Sequence, residues 1–273
     1  MRVFKLILVD LDGTMLDRSH RVTAEAMEAV RLAHEASIEI SVATGRAYPA
    51  AAHIIRQLGI RVPFICAGGA TIRCLERDVI QDRILDPSVY AEVLAHVPPD
   101  LDIVVFTSDN GFAKRLSEGV LKYAAALGMN FVEKENLASL SSSVRVVALR
   151  GSPERVTPLC MQLSRRLCGC AEVERVLPHL LEIRAKDATK HHAMCVLAKA
   201  MGIGTDEIVA IGDGLGDQGM VRASGFGVAV SNAVDELKSV ANYVTTAPYS
   251  EGVLETVRDI VAGKLPKDSR NSE

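Results

Sequence analysis

The chain has 273 residues, 48% of them hydrophobic and 24% charged, as in a globular fold of one large or two smaller domains. Its 31 basic and 34 acidic residues give a net charge of -3, so charge offers no reason to expect nucleic acid or an anionic membrane as partner. No apolar run approaches the roughly 18 residues of a membrane span, and the short apolar run near the start ends in charge, so neither a transmembrane helix nor a secretion signal is expected. Cys66, Cys74, Cys160, Cys168, Cys170 and Cys195 are scattered without a C-x-x-C pair. Buried or idle thiols in a reducing cytoplasm are expected of them, the Cys168-Gly169-Cys170 pair included.

Residues 4–9 are an apolar run of the kind buried on both faces of a parallel sheet. Residues 23–36 show helical spacing, with Thr23 as N-cap and Ala26, Val30 and Ala33 on one face. A strand over 38–43, a helix over 48–58 closed by Gly59, and a strand over 62–66 follow. This β-α-β-α-β order predicts a parallel sheet covered by helices.

From about 82 to 184 the pattern changes. A helix over 87–96 precedes two strands, 102–106 and 112–115, around the hairpin turn Asp109-Asn110-Gly111. A helix (118–127), a strand (144–149), a helix (154–167) and two strands (171–176 and 180–184) complete an inserted α+β unit whose sheet is expected to be antiparallel.

The first rhythm then returns: helix 190–201 ended by Gly202, strand 208–211, helix 217–223, strand 227–230, helix 233–240, strand 243–245 and helix 253–262, with a frayed tail over 264–273. The expectation is an α/β protein. A Rossmann-like parallel-sheet core domain (1–81 and 185–273) carries an inserted α+β domain (82–184).

Ligands of an open parallel sheet bind at the carboxyl ends of its strands. The first strand ends in Asp10-Leu11-Asp12-Gly13-Thr14, the second in Thr44-Gly45-Arg46, the third in Ala67-Gly68-Gly69-Ala70, and the strand after the insertion in Gly212-Asp213. Such a set suits phosphoryl chemistry. A carboxylate can attack phosphorus, and several carboxylates together call for a cation, for which oxygen ligands favour Mg²⁺. Asp10 and Asp12, two apart in extended chain, fall on one side, so that one can attack while the other handles the leaving-group proton. Thr44 and the Gly45 amide can donate to phosphate oxygens, and Lys190 at a helix start can complete the cradle.

Gly214-Leu215-Gly216-Asp217-Gln218-Gly219 also fits the dinucleotide fingerprint G-x-G-x-x-G. That fingerprint belongs in the first βα turn, with an acid at the end of the next strand, and here it follows the strand after the insertion. The turn therefore reads as a cation-holding one.

DLDGT at 10–14, ATGR at 43–46, a lysine opening a helix at 190 and GDGLGD at 212–217 resemble the four motifs of the haloacid dehalogenase superfamily. The insertion resembles the large α/β cap of its Cof-type phosphatases, and the likeness extends to EGV at 251–253. It implies a Mg²⁺-dependent phosphatase of small phosphorylated metabolites, sugar phosphates first, in which Asp10 is nucleophile and Mg²⁺ ligand. Asp12 would be the acid/base and lend its carbonyl to the metal, Asp213 would be the third protein ligand, and Asp217 a further acid at the metal. Leu11 (by its amide), Thr44, Gly45 and Lys190 would hold phosphate, and Arg46 would reach substrate.

This chain departs from the Cof pattern at Gly68 and Gly216, each usually Asn, and at His191, usually Gly. Losing an amide hydrogen bond to a charged group costs roughly 1.5–3 kcal/mol, about one or two orders of magnitude in rate. The two glycines also support an alternative, a binding or regulatory protein on the same fold. A phosphotransferase or mutase shares the first half-reaction, and a dehalogenase would need neither Asp12 nor Mg²⁺.

Overall fold

The computed structural model describes residues 4–76 and 79–265. The tail beyond 265 lies outside the described residues. The chain opens with β1 (Leu6–Val9), α1 (Ala24–Glu35), β2 (Glu39–Val42) and α2 (Tyr48–Leu58). The Thr23 hydroxyl accepts from the Ala26 N–H, capping α1 as its sequence predicts. Gly59 closes α2 in the left-handed conformation, φ 71°.

Next come β3 (Phe64–Cys66), β4 (Thr71–Arg73) and β5 (Val79–Asp82), which form a small antiparallel sheet of their own. The third strand was expected in the parallel sheet. Instead it touches that sheet through one bridge, Ala43 to Ile65, and a hydrogen bond from the Thr44 N–H to the Ile65 carbonyl. Strands β4 and β5 carry no alternation in sequence because they are three or four residues long.

The inserted stretch runs α3 (Pro87–His96), β6 (Asp102–Phe106), β7 (Gly111–Ala113), α4 (Glu118–Leu127), β8 (Phe131–Glu133), β9 (Val146–Arg150), α5 (Pro153–Arg166), β10 (Ala171–Leu177) and β11 (Leu180–Ala185). Its six strands lie in the order β10-β11-β9-β6-β7-β8. All neighbours are antiparallel except β7 and β8. The expected antiparallel sheet thus gains a parallel edge, because α4 returns the chain alongside β7.

Strand alternation sorts the faces of this sheet. Ile103, Val105, Val147, Leu149, Leu181 and Ile183 pack in the apolar cluster that also holds Val89, Tyr90 and Val93 of α3 and Val156, Leu159 and Leu163 of α5. The intervening residues, among them Phe106, Arg150, Glu182 and Arg184, line a cleft on the opposite face.

The chain ends with α6 (Lys190–Met201), β12 (Ile208–Gly212), α7 (Gln218–Ala223), β13 (Phe226–Ala229), α8 (Asp235–Lys238), β14 (Tyr243–Val244) and α9 (Tyr249–Val261). The last helix starts at 249 rather than 253, its first N–H held by the Asn232 side chain. The five parallel strands are ordered β14-β13-β12-β1-β2. Apart from Glu39 and the edge strand β14, their residues are buried and form the largest apolar cluster with the helices on both faces. The chain leaves β1 toward β2 on one side and β12 toward β13 on the other. The switch point is therefore the crevice between the ends of β1 and β12.

Candidate active site

Asp10 directly follows β1 and Asp213 directly follows β12, so the two carboxylates flank that crevice. One oxygen from each of Asp10, Asp213 and Asp217 lies within 4.8 Å of the others. The Lys190 ammonium, carried at the start of α6, donates to Asp10 Oδ1 and to Asp217 Oδ1, both at 2.6 Å. Residues about 200 apart in the chain converge because the loops carrying the three carboxylates leave the same edge of one sheet, and the chain returning from the insertion brings Lys190 to it.

Local backbone chemistry makes the convergence possible. After Asp10 the chain makes one wide turn, with the Met15 N–H donating to the Asp10 carbonyl at 3.1 Å. Gly13 in that turn has φ 88°, and a Cβ there would lie 2.2 Å from an Asp213 oxygen. Only glycine lets the two loops approach this closely. The Thr14 hydroxyl then donates to Asp213 Oδ1 at 2.9 Å, and Asn232 Nδ2 holds the Gly13 carbonyl at 2.8 Å. The sequence reading gave Thr14 no role beyond its hydroxyl, and Asn232 carried no motif.

Asp217 is buried, and its oxygens are spoken for. Oδ2 accepts from the Asp213 and Gly214 N–H groups at 3.1 and 3.0 Å, while Oδ1 takes Lys190. It braces the glycine turn rather than merely capping α7. Asp12 lies apart from this trio. Arg46 grips it through two hydrogen bonds of 2.7 and 2.6 Å, and His20 Nδ1 sits 2.7 Å away. Arg46, expected to reach substrate, lines the cleft but is only 5% exposed and spends its fork on Asp12.

The remaining expected residues divide. Gly45, Gly68 and Gly216 line the cleft with the residues above, whereas Leu11 and Thr44 are wholly buried beneath it. The Thr44 hydroxyl accepts from the Arg46 N–H at 3.1 Å. The cleft measures about 880 Å³ and runs between the switch-point edge and the six-stranded sheet; Phe106, Glu174 and Arg184 of that sheet and Tyr123 of α4 line it and were not singled out in the sequence. His192 of α6 meets Arg83 at 2.8 Å. Cys168 and Cys170 are exposed, not buried.

Electrostatics follow from crowding. Burial raises the Asp10 carboxyl well above its ordinary value, opposed by Lys190 and reinforced by Asp217, Asp213 and Asp12. Burial and the Asp217 charge push Asp213 up from 3.8 to about 6. For Lys190, burial works against the charge, but Asp10 and Asp217 outweigh it and hold the ammonium protonated. Asp12 goes the other way: Arg46 overcomes burial and keeps its carboxyl below the usual range. Three close carboxylates facing one ammonium form an oxygen-only, cation-hungry set, which fits a hard divalent ion.

That crowding has a measurable consequence. A carboxyl raised from 3.8 to about 6 in the fold favours the native state below its unfolded value, and that contribution is lost as pH rises through about 6. Asp213→Asn removes the charge. In chelator it should melt above the parent at pH 7, by roughly 1–3 kcal/mol of stability, with the advantage fading toward pH 4. Thermal melts across pH 4–7 check this, and a variant less stable at pH 7 would contradict the repulsion.

A sequence model of the haloacid dehalogenase-like hydrolases matches residues 7–257. The chain belongs to that family. Phosphatase YwpJ of Bacillus subtilis is 28% identical, over 94% of this chain and 100% of its own. The 5-amino-6-(5-phospho-D-ribitylamino)uracil phosphatase YwtE of the same organism is also 28% identical, over 95% and 99%. The crystal structure of a haloacid dehalogenase-like hydrolase from Bacteroides thetaiotaomicron superposes with a TM-score of 0.85 at 25% identity, covering 94% of this chain and 99% of that one. The Cof-type resemblance in the four motifs therefore extends through both halves of the fold. Among the described residues, no helix is long and apolar enough to cross a membrane.

Proposed function

We propose that this haloacid dehalogenase-like hydrolase is a Mg²⁺-dependent cytoplasmic phosphatase of small phosphorylated metabolites, working through an aspartyl-phosphate on Asp10. The observation that carries the reading is the meeting of Lys190 with Asp10 and Asp217 at the switch point. It sets a nucleophile beside the cation that would receive phosphate oxygens. The names of the relatives support phosphatase chemistry, and the ribityl phosphate in one of them supports a small phosphorylated substrate. Sugar phosphates are the first class to test.

In this reading Asp10, Asp213 and the Asp12 carbonyl would hold Mg²⁺. Asp217, its oxygens taken by protein donors, orients the Asp213 loop and Lys190. Bound Mg²⁺ supplies charge neutralisation for the transferring phosphoryl group. Asp10 Oδ attacks phosphorus as the bond to the leaving oxygen breaks, and Asp12, released from the Arg46 fork and protonated from solvent when substrate binds, delivers the proton that oxygen needs. Water, deprotonated by Asp12, then attacks the phosphoryl-Asp10 and releases inorganic phosphate. Residues 82–184 act as a cap closing on the core of 1–81 and 185–273, excluding bulk water during transfer.

Hydrolysis of p-nitrophenyl phosphate tests the reading. Turnover should require Mg²⁺, vanish in EDTA and return when Mg²⁺ is restored. Metal-independent turnover, or none with any member of a panel of phosphorylated metabolites, overturns it. Product release that depends on an alcohol acceptor rather than water would identify a phosphotransferase instead.

A further inference from the structure

The two glycines that depart from the Cof pattern are not empty places. A Cβ on Gly68 would lie 2.7 Å from the Arg184 guanidinium carbon, and a Cβ on Gly216 would lie 2.8 Å from Glu174 Oε1. Both intruding side chains come from the six-stranded sheet, from β11 and β10, and both positions they cover lie on the catalytic edge.

The intruders are joined to each other. Arg184, only 3% exposed, donates to Glu182 Oε2 at 2.7 Å and bonds Glu174 Oε2 through its other terminal nitrogen. Glu174 and Glu182 stand directly opposite on neighbouring strands, an arrangement of like charges that needs a cation between them. Because Arg184 is pinned in this way, it cannot swing aside cheaply as a surface arginine would.

Its position is also connected to both arms of the expected phosphate cradle. Arg184 Nε donates to the Ala188 carbonyl, two residues before Lys190. Gly68, on which the guanidinium rests, donates its N–H to the Thr44 carbonyl at 3.0 Å, and the Ala67 N–H donates to the Arg46 carbonyl at 2.7 Å. One side chain from the insertion thus bears on the 44–46 loop and on the root of α6 together.

We propose that Arg184 and Glu174 form a clasp that seats the inserted domain on the catalytic edge, with Gly68 and Gly216 as its receptacles, and that Arg184 is a positioning residue for the phosphate-binding loops. The activity arm of the test rests on the phosphatase reading above, whereas the scattering arm does not.

The test is a pair of double-mutant cycles. Gly68 has φ +63°, a conformation that Asn adopts more readily than other side chains, so Gly68→Asn adds the least backbone strain to the strain on the clasp. Gly68→Asn and Gly216→Asn should each lower kcat/KM for p-nitrophenyl phosphate by roughly tenfold and raise the inhibition constant of inorganic phosphate in parallel. Small-angle scattering should show a larger radius of gyration for both.

Combining Gly68→Asn with Arg184→Met, and Gly216→Asn with Glu174→Ala, vacates the contested space. Because Arg184→Met and Glu174→Ala themselves open the clasp, each double variant should lose no more activity and gain no more radius than its worse single variant. Glu174 is partly exposed, so the second cycle stands even where loss of Arg184 leaves Glu182 unpaired and the protein unfolded. Additive losses in the doubles, or single Asn variants with parental kinetics and radius, overturn the clasp. Should the parent hydrolyse nothing while the radii change non-additively as stated, the phosphatase reading falls and the clasp remains.

Discussion

Asp10→Asn should abolish phosphatase turnover, a loss of roughly 10⁴-fold or more, in a protein that still folds. The amide keeps the size of the carboxylate but is no nucleophile toward phosphorus. Folding should survive because the substitution relieves crowding: Asp10 is buried, raised above its ordinary value, and faced by the charges of Asp213 and Asp217. Lys190 keeps Asp217 as partner. Steady-state assays with p-nitrophenyl phosphate, together with intact-protein mass spectrometry after acid quench, measure both halves. The parent should carry one phosphoryl group during turnover and the variant none. Turnover within about tenfold of the parent would remove Asp10 from the nucleophile's role.

Asp12→Asn should cost roughly 10²–10⁴-fold in kcat, and the step it blocks should differ. With p-nitrophenolate as leaving group, phosphoryl transfer to Asp10 needs little help from an acid. Attack by water on the phosphoryl-enzyme still needs a base. The variant should therefore accumulate the phosphorylated chain, visible in the same quench experiment, where Asp10→Asn shows none. The Arg46 fork that holds Asp12 in its ionised form supports the role of base in that second step. A parental steady-state rate in Asp12→Asn would sink this assignment.

Helices with strong end signals could be read from the chain alone. The expected helices over 48–58, 118–127 and 190–201 coincide with α2, α4 and α6. Gly59, Gly128 and Gly202 end them in the left-handed conformation, and Ser117 and Thr189 cap the starts of the last two through their hydroxyls. Strands β4, β5 and β8 escaped because three or four residues are too few for an alternation to stand out, and because pairing with distant chain, not local pattern, makes them strands. The stretch after β2 was read as the next member of the parallel sheet by its rhythm. Its departure into a separate antiparallel sheet depends on the Gly68-Gly69 turn, which sends the chain straight back as β4.

The sequence by itself determined which loops meet at the edge of the parallel sheet. Carboxylates, a threonine and glycines follow buried strands, and a parallel sheet sends all those loops to one edge whatever the side chains do later. Tertiary structure decided what each group is bonded to. It paired Asp12 with Arg46 and His20, saturated Asp217 with amides and Lys190, and filled the spaces above Gly68 and Gly216 with Arg184 and Glu174. In β11, the alternation Leu181-Glu182-Ile183-Arg184 announces two faces, one apolar and one charged. It says nothing of what the charged face meets. Periodicity is a property of neighbours along the chain, whereas the partner of a buried charge is chosen by desolvation and distance among groups the fold alone brings together.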